Sequence, residues 1–250
     1  MGAYRLLHAD DPSGAAPSPG QFYMLAAVER WGAGEDDRPH LPRAFSYLSD
    51  AGGRLGFMLE RVGPGTTRLA ELEHGDELWL MGPLGAGFSE PHDGRRAILA
   101  GGGVGAPPLS ALAFTLDDPR VRVDGLLGFR DAHHARIAET IFQGTSLQVA
   151  TDDGSVGHHG FVTELLAAEL DADDHAVVYA CGPPAMLEVV RALCAAREVP
   201  AQLALEAAMA CGFGACYGCV VPVREGGYVR LCVDGPVLDA DRLDVVPLHA

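Results

Sequence analysis

The sequence predicts a multi-domain chain: an antiparallel β-barrel, then a doubly wound α/β unit, then a small cysteine-bearing unit. Three observations carry that prediction. Residues 1–92 set short apolar runs between dense turn signals, residues 93–200 alternate buried strands with helices, and residues 201–250 hold four closely spaced cysteines. A chain of 250 residues has room for two or three such units.

In the first unit, "YRLLHAD", "QFYMLAAV", "RLGFMLERV" and "DELWLMG" read as strands. They are separated by "DDPSGAAPSPG", "DAGG", "VGPGTT" and "EHGDE", and "MGPLGAG" closes the series. Short strands punctuated this often suit an antiparallel barrel. "SEPHDGRR" reads as a linker. The pattern then changes. "RAILAG", "VRVDGLLGF", "SLQVATDDG" and "HAVVYACG" are apolar runs of strand length. "PPLSALAFTL", "GFVTELLAAEL" and "PAMLEVVRALCAAR" are helix-length segments. Strand–helix alternation of this kind builds a parallel sheet with helices on both faces.

Composition narrows the function. Hydrophobic residues make up 48%, enough for packed cores. All 18 basic residues are Arg, with no Lys, against 34 acidic ones, for a net charge of −16. That charge repels phosphate backbones and anionic membrane surfaces, so neither nucleic acid nor membrane is expected as a partner. The opening "MGAYRLLHADDPSG" has no apolar core of signal-peptide length. The uncharged run Ala97–Leu116 is long enough to span a membrane, but its centre, "GGGVGAPP", is a turn and a helix start. A cytoplasmic location is expected, where six cysteines point to metal or redox chemistry rather than disulfides.

The most specific pattern is "ACGFGACYGCVV" with "LCVDG". Cys211, Cys216, Cys219 and Cys232 form C-x4-C-x2-C-x12-C, the plant-type [2Fe–2S] spacing. Gly212, Gly214 and Gly218 allow backbone N–H groups to approach sulfur and permit positive φ. A zinc ribbon competes, but it would show two C-x2-C knuckles and only one is present. Cys194, mid-helix among Ala and Leu, reads as core packing. Cys181 could face a bound nucleotide or simply be a small buried residue.

"AILAGGGVGAPPLSAL" runs from strand through glycine turn to helix. Gly101, Gly103 and Ala106 satisfy G-x-G-x-x-G/A, whose helix start offers N–H groups to a diphosphate. Tight strand–helix packing is the competing explanation. "TDDGSVG" and "YACGPPAML" then fall at later strand ends, where ligands of such sheets bind. An acidic ribose reader is not evident: Asp124 lies early in its strand, and Arg130–Asp131 follow the strand end. NAD and NADP therefore both stay open.

In the first unit, Arg43 and Ser46 of "LPRAFSYLS" and Gly65 and Thr66 of "GPGTTRL" could hold a flavin diphosphate and ring edge. An exposed Arg and an ordinary turn are the alternatives. The ten histidines match no metal spacing and read as solvated loop residues. With no hydrolytic constellation, the chain is expected to handle electrons.

Barrel, nucleotide unit and cysteine loop in this order resemble the ferredoxin reductase superfamily. Within it, the chain is most similar to the electron-transfer subunits of bacterial NAD-dependent dihydroorotate dehydrogenase. The likeness runs from about residue 19 to the end, through "PGQFYML", "LPRAFS", "GPGTTRL", "MGPLGAGF", "GGGVGAPPL", "TDDGSVGHHGFVTELL", "CGPPAML", "EAAMACGFGACYGCVV" and "LCVDGPVLDA".

The resemblance implies FAD on the barrel, held by Arg43, Ala44, Phe45 and Ser46, by Met58, Leu59 and Glu60, and by Gly65 and Thr66. It implies NAD over Gly101, Gly102, Gly103, Val104, Gly105, Cys181 and Gly182, and a [2Fe–2S] cluster on Cys211, Cys216, Cys219 and Cys232. The implied partner is an FMN-containing catalytic subunit, in a heterotetramer with two of each chain. That partner would oxidise dihydroorotate, and this chain would pass the electrons on to NAD+ in pyrimidine biosynthesis.

Against the family pattern, the N-terminus is short, so either a first barrel strand is missing or the start codon is misassigned. The insert "ERWGAGEDDRPH" is longer than usual. A related reductase serving ferredoxin, sulfur compounds or a hydrogenase shares the same cofactors and is the alternative. A zinc-binding interaction module is the alternative from another class.

Overall fold

The computed structural model describes residues 2–12, 14–32, 38–91, 95–116, 120–143 and 145–247. The centre of the "SEPHDGRR" linker, with the 92/93 boundary, and the middle of the "ERWGAGEDDRPH" insert lie outside the described residues.

The first unit is one five-stranded antiparallel sheet. β1 (Tyr4–Asp10), β2 (Phe22–Ala27), β3 (Arg43–Asp50), β4 (Arg54–Glu60) and β5 (Leu78–Leu84) pair in the order β1-β4-β3-β2-β5. Helix α1 (Pro64–Ala70) crosses between β4 and β5. Tyr23, Leu25, Tyr47, Leu55, Phe57 and Leu59 form a separate core that α1 closes with Leu69. Alternate residues of each strand supply it, as the two-residue period of a strand requires. β1 and β5 stand at opposite edges, and no ladder joins them among the described residues. β3 is a strand that the sequence reading treated only as a motif.

The second unit is a seven-stranded sheet, ordered β14-β11-β10-β6-β7-β8-β9. Its parallel strands are β6 (Arg96–Gly102), β7 (Val123–Phe129), β8 (Ser146–Thr151), β9 (His158–His159), β10 (Ala176–Cys181) and β11 (Ala201–Ala204). The helices between them are α2 (Ala106–Thr115), α3 (Ala132–Ala135), α4 (Ala138–Ile141), α5 (Val162–Ala172) and α6 (Pro184–Ala196). Ile98 and Ala100 face α5 and α6, while Ala97 and Leu99 face α2, α3 and α4. Burial on both faces explains why β6 and β10 read as unbroken apolar runs.

The C-terminal stretch adds the hairpin β12 (Val220–Pro222) and β13 (Tyr228–Arg230), and then β14 (Val237–Asp239). β14 pairs antiparallel with β11 and so becomes an edge of the parallel sheet. Residues 201–204 and 237–239, assigned from sequence to the last unit, are thus strands of the second. Cys219, Val221, Leu231 and Cys232 share a core with α5 and α6.

Two joints fix the sheets against each other. Leu109 and Leu112 of α2 pack into the parallel sheet, while Ala111 of the same helix enters the core of the first unit. At the other end, an isolated bridge pairs Ala86 with Pro236. No described helix is long and apolar enough to cross a membrane.

Candidate functional site

In the parallel sheet the chain runs outward from β6 in both directions, to β7 and β8 on one side and β10 and β11 on the other. Such a reversal leaves a crevice at the carboxyl ends of the strands. A cleft of about 580 Å³ lies there. Its walls include Gly102 at the end of β6, Gly103 and Val104 beyond it, Arg130 beyond β7, Asp152 beyond β8, and Pro183 to Met186 beyond β10. Tyr4 and Glu60 reach it from the antiparallel sheet.

The glycines of the turn divide by role. A Cβ on Gly101 would meet Leu127 at 2.8 Å, one on Gly102 would meet the Met186 sulfur at 2.8 Å, and one on Gly105 would meet the Cys181 carbonyl at 2.2 Å. At Gly105 the obstacle is backbone, so close packing alone demands glycine, whereas at Gly101 and Gly102 a Cβ would crowd neighbouring side chains. Gly103 has φ +52 and faces comparatively open space. Gly101, Gly105, Cys181 and Gly182 are not among the cleft-lining residues. Cys181 is buried, and burial pushes its thiol well up. Cys194 is buried on α6, its thiol pushed up to about 12 by burial, in keeping with core packing.

Asp124 is buried at the opposite end of β7 from the cleft, 2.9 Å from Arg96 and 2.8 Å from Arg122. It is committed to that ion-pair network. His134 corrects the reading of the histidines as solvated, because its ring is nearly buried. Its Nδ1 lies 2.7 Å from Asp131 Oδ1, its Nε2 lies 3.5 Å from Glu60, and its ring meets Tyr4 edge-on. Burial, then Glu60, pushes the Tyr4 phenol upward.

The His134 ring and its backbone N–H hold the Asp131 carboxyl at about 2, below the usual 3.8. A depressed acid stabilises the fold fully above 3.8 and loses that contribution as pH falls through about 2. His134→Ala is expected to move the Asp131 midpoint up toward 3.8, followed by carboxyl NMR; an unmoved midpoint would refute the coupling.

On the antiparallel sheet, Arg43 lies over Trp31, 5.8 Å from the ring centroid. Its Nε is 2.6 Å from where a Gly65 Cβ would stand. The guanidinium thus leans over the first turn of α1, beside backbone N–H groups that the helix leaves unpaired. The Thr66 hydroxyl accepts from Val62 N at 2.9 Å and Gly63 N at 3.1 Å, shaping the turn. Met58 faces the parallel sheet, Leu59 lies in the antiparallel core, and Phe45 packs against that core. Ala44 is exposed and Ser46 half-buried.

Ala44 pairs across the ladder with Met24, and Ser46 with Phe22. Cross-strand partners project to the same face. Met24 and Phe22 point into the core shared with the cysteine segment. A Cβ on Gly212 would meet Met24 at 2.6 Å and Leu84 at 3.2 Å, so the cysteine loop rests directly on β2 and β5.

Within that loop the thiols come in two pairs. The Cys219 and Cys232 sulfurs are 3.2 Å apart and buried, and Cys232 N donates to the Cys219 sulfur at 3.4 Å. Cys211 and Cys216 interact with each other nearer the surface, where Cys216 is exposed. N–H groups of Cys216 and Phe213 lower the Cys211 thiol to about 6, favouring thiolate. Gly212 and Gly214 have φ of +78 and +85. Among the described residues, no three Cys, His, Asp or Glu converge on a single ion. Two thiol pairs match a two-iron cluster, each iron taking two thiolates, better than one tetrahedral zinc.

Residues 206–244 match the family model described as the iron-sulfur cluster binding domain of dihydroorotate dehydrogenase B. The chain is 36% identical over 225 residues to a Desulforamulus reducens protein, covering 88% of this chain and 84% of that one. It is 38% identical over 227 residues to one from Bacillus caldolyticus, covering 89% and 85%. Both are named dihydroorotate dehydrogenase B (NAD(+)), electron transfer subunit.

Among solved structures, the NADH-dependent reduced ferredoxin-NADP oxidoreductase superposes with a TM-score of 0.83 over 97% of this chain and 86% of that one. At 22% identity it speaks for the fold. The ferredoxin reductase of carbazole 1,9a-dioxygenase superposes at 0.66 and 25% identity, covering 77% and 61%.

Proposed function

The chain belongs to the family of dihydroorotate dehydrogenase B electron-transfer subunits, and we propose that it holds FAD, NAD and a [2Fe–2S] cluster in adjoining sites. It is an oxidoreductase subunit that works with a catalytic partner and carries electrons between that partner and NAD+. When bound, the flavin supplies the chemistry that joins one-electron exchange at a cluster to two-electron exchange at a nicotinamide.

At residue level, Arg43 and the first turn of α1, with Gly65 and Thr66, hold the flavin diphosphate. Ala44, Phe45 and Ser46 support the ring edge, and Met58, Leu59 and Glu60 support the rest of the flavin from β4. The cleft at the end of β6 takes the nucleotide through Gly102, Gly103 and Val104, and Gly101, Gly105, Cys181 and Gly182 shape its floor from behind. Cys211 and Cys216 bind one iron, and Cys219 and Cys232 the other.

A single observation supports this reading best. The cysteine loop packs on Met24, whose cross-strand neighbour Ala44 lies in the flavin segment. Adjacent strands are about 4.8 Å apart, so the cysteine loop and the Ala44 part of the flavin segment share one sheet face.

The exposed Cys216 edge, with Phe213 and Tyr217 of the same loop uncovered, is the natural face for the FMN-containing partner. We propose the heterotetramer of two copies of each chain, and a cytoplasmic location, where reducing conditions keep these thiols available. The three units are proposed as residues 1–92, 93–200 and 201–250, with β11 and β14 lent by the last to the sheet of the second.

Anaerobic affinity purification of the tagged chain from its own cells tests the whole assignment. The expected product is a coloured complex with dihydroorotate-dependent NAD+ reduction. A coloured complex without that activity would shift the function to a related reductase.

A further inference from the structure

Dinucleotide-binding sheets separate NAD from NADP at the adenosine ribose. A carboxylate accepts from a free 2′-hydroxyl, whereas an Arg beyond the strand end takes a 2′-phosphate. Asp124, the acidic residue about 20 positions after the glycine turn, is buried against Arg96 and Arg122 and cannot serve. Arg130 stands beyond the end of β7 on the cleft wall, with 69% of its side chain exposed. Taken alone, it would favour a 2′-phosphate.

Arg130 is not alone. Glu60, on the antiparallel sheet, extends its carboxylate across the cleft mouth. Its Oε1 lies 3.6 Å from the Arg130 guanidinium and 3.5 Å from His134 Nε2. Only 22% of the Glu60 side chain is exposed, so it meets Arg130 with less screening than an ion pair in open water. The cleft wall also carries Asp152 and Glu206. Burial raises the Glu206 pKa. Arg130 is the single Arg among the described lining residues, against these three carboxylates.

We infer that Glu60 is a specificity-determining residue. Its carboxylate occupies Arg130 and thereby excludes nucleotides bearing a 2′-phosphate, leaving NAD as the acceptor. This rests on the proposed nucleotide cleft and assigns a second role to Glu60. Its backbone belongs to the flavin segment, while its carboxylate serves the nucleotide. An incoming 2′-phosphate would have to displace Glu60 from Arg130 and enter a wall of net negative charge, whereas a 2′-hydroxyl does neither.

The test uses the full chain with flavin and cluster bound, titrated calorimetrically with 5′-ADP and with 2′,5′-ADP. Glu60→Gln keeps the shape and removes the charge. It is expected to raise the affinity for 2′,5′-ADP relative to that for 5′-ADP about tenfold, the size of one charge-assisted contact released. Adding Arg130→Ala should cancel the gain.

Unchanged relative 2′,5′-ADP affinity in Glu60→Gln, with 5′-ADP still bound, would overturn the inference. So would a gain that survives loss of Arg130. Failure of the unsubstituted chain to bind 5′-ADP would instead overturn the cleft itself. Should Glu60→Gln not retain flavin, Arg130→Ala decides alone. With Glu60 already occupying Arg130, the ratio of the two affinities should hold within about twofold, and a tenfold fall in relative 2′,5′-ADP affinity would overturn the inference.

Discussion

Cys219→Ala is expected to abolish the iron–sulfur EPR signal and dihydroorotate-dependent NAD+ reduction in the assembled complex, while NADH-to-dye activity stays largely intact. Cys219 is buried 3.2 Å from Cys232, and its sulfur accepts from the Cys232 N–H. Removing it leaves one iron with a single protein thiolate. The nucleotide cleft is built from other strands, so dye reduction through flavin does not pass this loop. Cys216→Ser, at the exposed edge, should likewise remove the signal. Cys194→Ala is the control, because that thiol lies in the core on α6 and should leave the signal unchanged. A full-strength signal in Cys219→Ala would overturn the ligand assignment.

The buried strands were legible because burial on both faces writes an apolar run into the chain, as in β6 and β10. The cysteine loop was legible because ligand spacing is local. β3 was not, since its burial runs exposed at Ala44, half-buried at Phe45 and Ser46 and buried at both Tyr47 and Leu48, without the alternation that marks strands. β11 and β14, four and three residues long, carry too little pattern of their own. Their pairing is a tertiary event.

The glycine turn shows a subtler gap. Its motif is visible in sequence, but Gly105 is required by the Cys181 backbone, and side chains crowd Gly101 and Gly102, before any ligand is considered. Asp131 before "AHHA" could have been read as a helix cap, and it does accept from His134 N at 3.0 Å. The approach of Glu60 to His134 and Arg130 joins two sheets, and nothing local in the chain announces it.

Arg43→Ala is expected to yield protein depleted of FAD, with affinity lowered about 30- to 150-fold, corresponding to about 2–3 kcal/mol for a lost charge-assisted anchor. Reconstitution of the apoprotein, followed by quenching of flavin fluorescence, measures it. The guanidinium is held in place before any ligand arrives: it lies over Trp31 and donates to the Leu41 carbonyl. Preorganisation of this kind spares the ordering cost of a free side chain. Arg43→Lys keeps the charge and loses the planar fork, so an intermediate loss of about tenfold is expected.

Gly65→Ala should imitate Arg43→Ala without touching the charge, because the new Cβ would stand 2.6 Å from Arg43 Nε and push the guanidinium off the α1 turn. Since both substitutions disable one contact, their combination should cost little more than Arg43→Ala alone. Full flavin occupancy in Arg43→Ala would move the diphosphate elsewhere. Additive losses would mean that Gly65 acts independently of Arg43, through the backbone of α1 itself.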